Sequence, residues 1–462
     1  MTQAKPFCPY KGLEPYTEKD RDYFFGREED QETIAANLVT TPLTILYGAS
    51  GVGKTSVLQA GVVPFLQQLP NTMVFVFDAW QDRTFLSSLK TKIARTVTER
   101  TGQSFSADDT PLDDFLAQAA RATRGTLTVI FDQFEEYFLY HPEVEIGNRF
   151  DAEFARAVNR DEIDANFLLS IREDSLARLD RFQERIPSLF DNYLRIEYLD
   201  REAARAAIEK PIEQYSPLHV ADGQQVSIEL ALVKAVLQQV KLGQVFSGEA
   251  GRGGVGVSPT PSEARIETPY LQLVMTRLWD EEMALGSPFL RLETLNRLGG
   301  AKHIVRQHLN AVMSALPSNE QEAAARVFRY LVTPSGTKIA HTAPDLAEYA
   351  ELPRKQVTTV LAKLSKPEAR ILRQVAPPPD QPAAQRYEIF HDVLTRVIRD
   401  WQAQYIKEQQ AQARRRVTLW RLFALVELFL IILPILVGIF LFGAASIFGW
   451  ERVMTFVMGV VE

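Results

Sequence analysis

The sequence contains very little cysteine, and this scarcity limits the kinds of protein it can be. Cys8 is the single cysteine among 462 residues, so an internal disulfide is excluded, and no cluster has the ligand spacing of a zinc site. The net charge of −7 gives no support for a surface that coats nucleic acid. The first residues lack an apolar signal core, which predicts that the bulk of the chain stays in a reducing cytosol.

Long apolar runs are absent from most of the chain, but one lies near its C-terminal end. The run 422–450 contains a single charged residue, Glu427, and exceeds the roughly 20 apolar residues that cross a bilayer. Trp420 and Trp450 bracket it, as interfacial anchors do. More arginines precede the run than follow it closely, so the positive-inside rule predicts a single-pass protein with its N-terminal bulk in the cytosol. A buried core helix is the alternative, although such helices are usually shorter.

Apolar runs and helical segments alternate through the first two hundred residues. Five runs are predicted to be strands: 43–48, 73–80, 126–136, 165–174 and 193–200. Between them, 55–69 is a predicted helix that Pro64 would kink or interrupt. Strands that alternate with helices are typical of a doubly wound parallel sheet, so the predicted fold class is α/β.

The later part of the chain is predominantly helical. A stretch rich in Gly, Ser and Pro, 243–265, is predicted to be a flexible surface insert. Three helices followed by a β-hairpin have the order of a winged helix. The predicted domains are a P-loop nucleotide-binding domain over 1–200, a helical lid over 201–317, a winged helix over 318–402, a basic linker helix over 403–420, a transmembrane helix over 421–450 and a short non-cytosolic tail over 451–462.

A phosphate-binding loop follows the first predicted strand. Residues 48–55, GASGVGKT, fit the pattern G-x-x-x-x-G-K-[ST], and a strand precedes and a helix follows them, as this motif requires. The glycines let backbone N–H groups surround phosphate oxygens, Lys54 reaches the β- and γ-phosphates, and the Thr55 hydroxyl ligates Mg²⁺. The loop predicts these nucleotide-binding residues: Gly48, Ser50, Gly51, Val52, Gly53, Lys54, Thr55 and Ser56.

Acidic residues follow the third predicted strand. Asp132 ends an apolar run, as a carboxylate that holds Mg²⁺ does in P-loop proteins. Glu135 is the first choice and Glu136 the second for polarising the attacking water, although both could be solvated acids at the start of a helix. These residues predict a catalytic site that uses a nucleoside triphosphate and Mg²⁺.

Arg172 ends the fourth predicted strand and is a further candidate for the catalytic site. The carboxyl ends of parallel strands meet at one edge of a sheet, so its guanidinium could contact the γ-phosphate as a sensor. An ion pair with Glu173 or Asp174 is the equally open alternative.

Several strings in the chain together resemble the STAND class of AAA+-related NTPases, and its bacterial "novel STAND" branch in particular. The resemblance covers roughly residues 8–402 and is carried by these strings: FFGRE (24–28), GASGVGKTS (48–56), SVLQAGVVP (56–64), VIFDQFEE (129–136), IREDSLARL (171–179), PYLQLVMTRLW (269–279) and YEIFHDVLTRVIRDW (387–401). It implies an ATPase domain, a helical lid and a winged helix that hold ADP in a closed state. Exchange for ATP would open the molecule and allow it to oligomerise.

The resemblance also implies roles for residues outside the phosphate loop. Phe25, Gly26 and Arg27 would lie by the adenine and ribose, and Pro269 of the lid would pack on the base. His391 would contact the β-phosphate of ADP, whereas without the family a single histidine in such a segment is usually an ordinary packed residue. ATP is favoured over GTP from the resemblance alone.

The chain departs from the family in having no repeat sensor and no recognisable effector enzyme. The transmembrane helix is the remaining candidate output, either as a clustered, permeabilising helix or as a tether. The resemblance thus implies a slow ATPase switch of the bacterial inner membrane, which forms a homo-oligomer on activation, acts in antiphage defence and needs an unidentified sensor or effector in trans. A transport or secretion ATPase is one alternative. A DNA-binding regulator is another, through a basic helix with Arg354, Lys355, Lys363 and Lys366, although such a face is usually only solvated.

Overall fold

The computed structural model divides the chain into two compact units, Met1–Arg399 and Asp400–Glu462. The residues it describes are 7–82, 84–107, 109–141, 144–219, 225–241, 265–333, 338–366, 369–375, 385–448 and 450–459. The predicted insert 243–265 therefore lies outside the described residues except for Arg265.

A parallel five-stranded sheet forms the centre of the first unit. Its strands are β1 (Leu43–Gly48), β2 (Thr72–Phe77), β3 (Thr126–Phe131), β4 (Ala165–Arg172) and β5 (Tyr193–Arg195). They lie in the order β2-β3-β4-β1-β5, and every neighbouring pair is parallel. This arrangement confirms the predicted α/β fold of a P-loop NTPase.

Hydrophobic cores cover both faces of this sheet. Successive side chains of a strand point to opposite faces, and the buried Ile45 and Leu46 of β1 accordingly belong to two different apolar clusters. The accompanying helices are α1 (Glu28–Thr40), α2 (Lys54–Ser56), α3 (Val63–Leu66), α4 (Phe85–Thr101), α5 (Leu112–Thr123), α6 (Glu135–Tyr140), α7 (Val144–Asn159) and α8 (Asp180–Gln183), with 3-10 helices at Glu18–Tyr23 and Glu173–Leu179.

The strands end earlier than the sequence predicts. The third run, predicted as 126–136, leaves the sheet after Phe131, because Gln133 adopts a left-handed backbone (φ +52°) that a strand cannot contain and α6 begins two residues later. The predicted ends at 80, 174 and 200 are likewise too late, since β2, β4 and β5 end at 77, 172 and 195. The predicted helix 55–69 is interrupted by a π-helical segment, Val57–Val62, and Pro64 lies in the first turn of α3, where its missing N–H is tolerated.

The region after the sheet is helical, as the sequence predicts, and it includes a small two-stranded parallel sheet. Its elements are α9 (Arg201–His219), β6 (Ser227–Ile228), α10 (Leu230–Gln239), α11 (Thr268–Ala284), β7 (Phe289–Leu290), α12 (Leu292–Arg297) and α13 (Ala301–Ser314). A buried carboxylate, Glu282 of α11, accepts hydrogen bonds from the guanidinium of Arg291 and the hydroxyl of Thr294. Burying a charge is favourable only with such partners, so this group fixes α12 against α11.

Three helices and an antiparallel three-stranded sheet complete the first unit. They are α14 (Ser318–Leu331), β8 (His341–Thr342), α15 (Ala343–Tyr349), α16 (Arg354–Leu364), β9 (Leu372–Val375) and β10 (Arg386–Ile389), with strand order β8-β10-β9. The order of three helices and a hairpin agrees with the prediction, and assignment as a winged helix stays a prediction. The ammonium of Lys363 lies 2.7 Å from both carboxylate oxygens of Glu320, which reduces the free positive charge of α16.

The second unit is helical. Helix α17 (Asp392–Phe448) starts in the first unit and α18 (Trp450–Met458) follows it. Within α17, Phe423–Phe440 has a mean hydropathy of 2.8 and is long and apolar enough to cross a membrane by length and composition. It is the single such stretch in the part of the chain that the structure describes. Membrane insertion and the predicted boundaries of the helix stay predictions.

Candidate functional site

A cavity of about 320 Å³ lies at the carboxyl edge of the parallel sheet, within the usual size range of ligand sites. The ends of β1, β3 and β4 contribute the phosphate loop, Asp132 and Arg172, because parallel strands bring such residues to one edge. Helix α11, the segment around β9 and β10, and residues 12–16 close the other sides. The predicted site residues that line it are Phe25, Arg27, Ser50, Gly51, Gly53, Lys54, Thr55, Ser56, Asp132, Glu135, Arg172, Pro269 and His391.

The phosphate loop is held in a conformation that requires glycine. Gly51 and Gly53 have φ angles of +80° and +101°, and Gly53 leads directly into α2. The ammonium of Lys54 donates hydrogen bonds to the carbonyls of Gly48 (2.9 Å) and Ala49 (3.2 Å). Burial lowers the pKa of Lys54, whereas Glu135 and Asp132 oppose this shift. The loop therefore presents a cation and a helix N-terminus to the cavity, which suits phosphate.

Asp132 is buried and is held by its backbone as well as its side chain. Its carbonyl accepts a hydrogen bond from the indole of Trp80 (2.8 Å), and Oδ1 accepts one from the N–H of Gln133 (2.9 Å). Burial raises the pKa of this carboxyl, while the nearby hydroxyls of Ser170 and Thr55 oppose the shift. Oδ2 is buried with no hydrogen-bond partner among the described residues. Such an oxygen close to a hydroxyl is suited to a cation.

The donors present fit Mg²⁺ bound together with a nucleotide. Thr55 and Asp132 both line the cavity and offer oxygen ligands. Within the described ranges, no group of three or more His, Cys, Asp or Glu side chains could hold a metal on its own. A Mg²⁺ ion usually takes one or two protein ligands and completes its shell with phosphate oxygens and water, so two protein donors suffice.

The two adjacent glutamates have different surroundings. Glu135 lines the cavity, and its carboxylate accepts a hydrogen bond from the N–H of Arg172 (3.2 Å). Burial raises the pKa of Glu135, and the charge of Lys54 opposes the shift. Glu136 is not among the lining residues, and burial together with the charge of Glu135 raises its pKa to about 7. Of the two, Glu135 alone faces the place where a nucleotide would react.

The raised pKa of Glu136 predicts a pH-dependent stability. Its folded-state pKa, about 7, exceeds the ordinary value of 4.5, so ionisation disfavours the folded state. The contribution of Glu136 to the stability of the folded state is fully present below about pH 4.5 and is lost as the pH rises through 7. We expect Glu136→Gln to melt at a higher temperature than the wild type at pH 8 and at about the same temperature at pH 4.5. Glu99→Gln, on an exposed part of α4, is the control, and equal curves for all three proteins would contradict the assignment.

Arg172 combines both alternatives that the sequence leaves open. Its guanidinium forms an ion pair with Asp174, yet the side chain also lines the cavity. Its Nε is buried and has no hydrogen-bond partner in the described parts of the chain. Contact with a γ-phosphate stays a prediction, which the free N–H group makes chemically possible.

Phe25 and Gly26 lie side by side, but only Phe25 faces the cavity. The ammonium of Lys210 lies 5.5 Å from the Phe25 ring centroid, a cation–π distance. Gly26 has a φ of +83°, and a Cβ there would lie 2.2 Å from the carbonyl oxygen of Ala203. This position therefore requires glycine for close packing on α9. Gly48 is similar, because a Cβ there would lie 2.4 Å from the carbonyl oxygen of Ile196.

Arg27 connects the phosphate loop to the segment that follows β5. It is 7% exposed, and its guanidinium donates to the carbonyls of Val52 (2.7 Å) and Glu197 (2.8 Å) and pairs with Asp30 (2.7 Å). The Val52 side chain is buried in the apolar cluster beside β1, so this residue supports the loop from behind. Arg27 thus holds the loop in place, and its predicted contact with the nucleotide stays a prediction.

His391 packs directly on the phosphate loop. A Cβ on Gly51 would lie 1.9 Å from His391 Nε2, so the imidazole occupies the space beside this glycine. Burial lowers the pKa of His391 to about 3, and the charges of Lys338 and Arg373 add to the shift. Both cations are paired with Glu388, at 3.2 Å and 2.6 Å. The imidazole is therefore neutral at physiological pH.

Several lining residues are missed by the sequence patterns. Residues 12–16 and Gln272 line the cavity, as do Arg373 and Phe390 next to His391. The N-terminal segment carries no motif or period, so no signal could have placed it there. Arg373 lies on β9, whose partner β10 leads into the segment with His391, and this hairpin pairing is the signal that could have placed Arg373 at the site.

Most of the chain matches one family model, and several solved structures are similar to it at low identity. A family model described as novel STAND NTPase 1 matches residues 9–422, and no curated protein matches the sequence. Among solved structures, the Walker-type ATPase PABY2304 of Pyrococcus abyssi is 14% identical and has a TM-score of 0.40, with 84% of this chain and 99% of that chain covered. The ORC1 protein of Aeropyrum pernix, solved in complex with DNA, is 14% identical with a TM-score of 0.42, and 83% and 93% are covered.

Proposed function

The chain belongs to the novel STAND NTPase 1 family of ATPases, and we propose that it works as a membrane-anchored switch controlled by exchange of ADP for ATP. The single observation that carries this proposal is the packing of His391 on Gly51. It brings the segment after β10 into contact with the phosphate loop, so the two segments share one cavity. A ligand in that cavity can favour one arrangement of these segments over another.

In the proposed resting state, ADP occupies the cavity. Because its imidazole is neutral, His391 can donate a hydrogen bond to the β-phosphate without carrying a charge that would also attract a third phosphate. ATP adds a phosphate between the loop and this histidine, which would push the two segments apart. This order of events makes the terminal phosphate the signal that opens the molecule.

Hydrolysis then returns the switch to its resting state. Lys54 would stabilise the charge on the transferred phosphoryl group, and Arg172 would contact the γ-phosphate. Glu135 would orient the attacking water and accept its proton. Thr55 and Asp132 would hold Mg²⁺, which neutralises phosphate charge when bound. We propose that this turnover is slow and serves regulation.

We propose that the output lies in the C-terminal apolar helix. After opening, several copies would oligomerise and cluster their helices in the bacterial inner membrane, with the ATPase on the cytosolic side. Antiphage defence is the proposed setting, with a sensor or effector protein in trans. The apolar stretch Phe423–Phe440 supports anchoring by its length and composition.

Membrane potential in cells tests this proposal. We expect cells that express the full chain to depolarise on phage challenge, and cells that express Lys54→Ala or a truncation ending at Gln412 to stay polarised. If the truncation depolarises cells as well as the full chain, the helix is a tether and the clustering proposal fails. Fast steady ATP turnover by the purified chain, without retained ADP, would instead favour a transport ATPase.

A further inference from the structure

Gln272 is a buried polar residue of the cavity wall, and one end of its side-chain amide is already used. It is 6% exposed, and its Oε1 accepts hydrogen bonds from the Tyr16 hydroxyl (2.9 Å) and the Lys11 backbone N–H (3.2 Å). A backbone N–H can only donate, so the oxygen must face Lys11 and the nitrogen must point the other way. The orientation of the amide is therefore determined by its neighbours.

The amide nitrogen of Gln272 donates no hydrogen bond within the part of the protein that the structure describes, where the side chain is bonded at Oε1. Nε2 is not one of the buried atoms that lack a partner, and the residue lines the cavity. The N–H groups are therefore accessible from the cavity and can donate to an acceptor of a bound ligand.

The position of Gln272 indicates which part of a nucleotide it would meet. It lies three residues after Pro269 on α11, so both residues share one face of the helix, and both line the cavity. Phe25 and Tyr16 add aromatic side chains to the cavity lining, whereas Lys54 belongs to the phosphate loop. A nucleotide whose phosphates lie in the loop would place its base beside these aromatic side chains and α11.

We propose that Gln272 determines base specificity by donating a hydrogen bond from Nε2 to N1 of adenine. The inference rests on the proposed function, in which the cavity binds ADP and ATP. N1 of adenine is unprotonated and accepts a hydrogen bond, whereas N1 of guanine carries a hydrogen. N3 and N7 accept in both bases and would not distinguish them. Because Oε1 is held by Lys11 and Tyr16, the amide cannot turn over to accept from that hydrogen. A guanine N1–H would therefore face another donor.

The test compares ADP with its 1-deaza, 3-deaza and 7-deaza analogues, each of which lacks one ring nitrogen. Affinities would be measured on the full chain in detergent micelles for the wild type, Gln272→Met and Thr276→Val. Methionine keeps the volume but has no N–H to donate. Thr276 lies one turn further along α11, donates to the Gln272 carbonyl and does not line the cavity, so it reports any general disturbance of the helix.

We expect 1-deaza-ADP to bind the wild type and Thr276→Val about 5- to 100-fold more weakly than ADP, since a donor covered by the bound base loses its acceptor. Gln272→Met should bind 1-deaza-ADP and ADP equally. Equal binding of ADP and 1-deaza-ADP by the wild type would overturn the inference, whatever the other two analogues do, as would an unchanged difference in Gln272→Met. Retention of ADP by the wild type tests the proposed switch separately, and neither of these outcomes would change it. Failure of this inference can therefore be distinguished from failure of the proposed function.

Discussion

Replacement of Lys54 by alanine should strongly weaken nucleotide binding and slow hydrolysis. Its ammonium lies in the phosphate loop on the carbonyls of Gly48 and Ala49, and it is the one lysine ammonium that lines the cavity in the described part of the chain. Charge-assisted hydrogen bonds contribute about 1.5–3 kcal/mol, so we expect affinity for ADP to fall roughly 10- to 150-fold. Loss of a preorganised group that stabilises the transition state should lower the rate of hydrolysis about 10²–10³-fold.

Isothermal titration of the full chain and single-turnover hydrolysis would measure these two effects. Lys92→Ala is the matched control, because the Lys92 ammonium also donates to a backbone carbonyl, that of Val76, but is exposed and away from the cavity. The nucleotide-free Lys54→Ala protein should unfold at about the wild-type temperature, since removing a buried charge relieves its desolvation. Wild-type affinity in Lys54→Ala would contradict the assignment of the phosphate site.

Gly51→Ala should release ADP more than tenfold faster than the wild type. The substitution introduces a Cβ where His391 Nε2 lies, 1.9 Å away, so the imidazole must move off the loop. The left-handed backbone at this position adds strain of about 1–2 kcal/mol for any residue other than glycine, which together with the clash exceeds the roughly 1.4 kcal/mol of a tenfold change. Stopped-flow release of a fluorescent ADP analogue would measure the rate.

The variant Gly53→Ala separates the effect of backbone strain from the effect of a steric clash with His391. Gly53 has a φ of +101°, yet no atom of the described residues lies within 4 Å of a Cβ added there. Gly53→Ala should therefore release ADP faster than the wild type through backbone strain alone, and by a smaller factor than Gly51→Ala. In a double-mutant cycle, His391→Ala should mask most of the additional effect of Gly51→Ala, because the two residues share one contact. Additive effects, or equal rates for the two glycine variants, would contradict the packing of His391 on the loop.

The sheet and the phosphate loop could be predicted because their signals are local. The apolar run of β1, the loop and the following helix are contiguous, and the spacing of Lys54 and Thr55 from Gly48 specifies the chemistry. The strand ends could not be predicted as well, because a left-handed residue such as Gln133 has no apolar or polar signature. The π-helical turn after the loop is equally invisible to hydrophobic periodicity.

The walls of the cavity opposite the loop depend on contacts between distant parts of the chain. Tyr16 and Gln272 are hydrogen-bonded although they lie 256 positions apart. Arg27 was predicted to lie near the nucleotide because of its motif, but its hydrogen bonds go to the carbonyls of Val52 and Glu197. Motif position predicted which residues gather at the site, whereas tertiary packing decides which atoms each of them contacts.

The cavity walls come from several separate stretches of the sequence, among them the N-terminal segment, the phosphate loop, α11 and the β9–β10 region. A nucleotide bound there acts as a non-covalent cross-link between these stretches. A ligand that binds only this arrangement stabilises it by RT ln(1 + [L]/Kd), which is about 4 kcal/mol at a thousandfold excess over Kd. That is a large share of the 5–15 kcal/mol by which folded proteins are usually stable. Nucleotide occupancy would therefore affect how long the folded protein survives in the cell, as well as the state of the proposed switch.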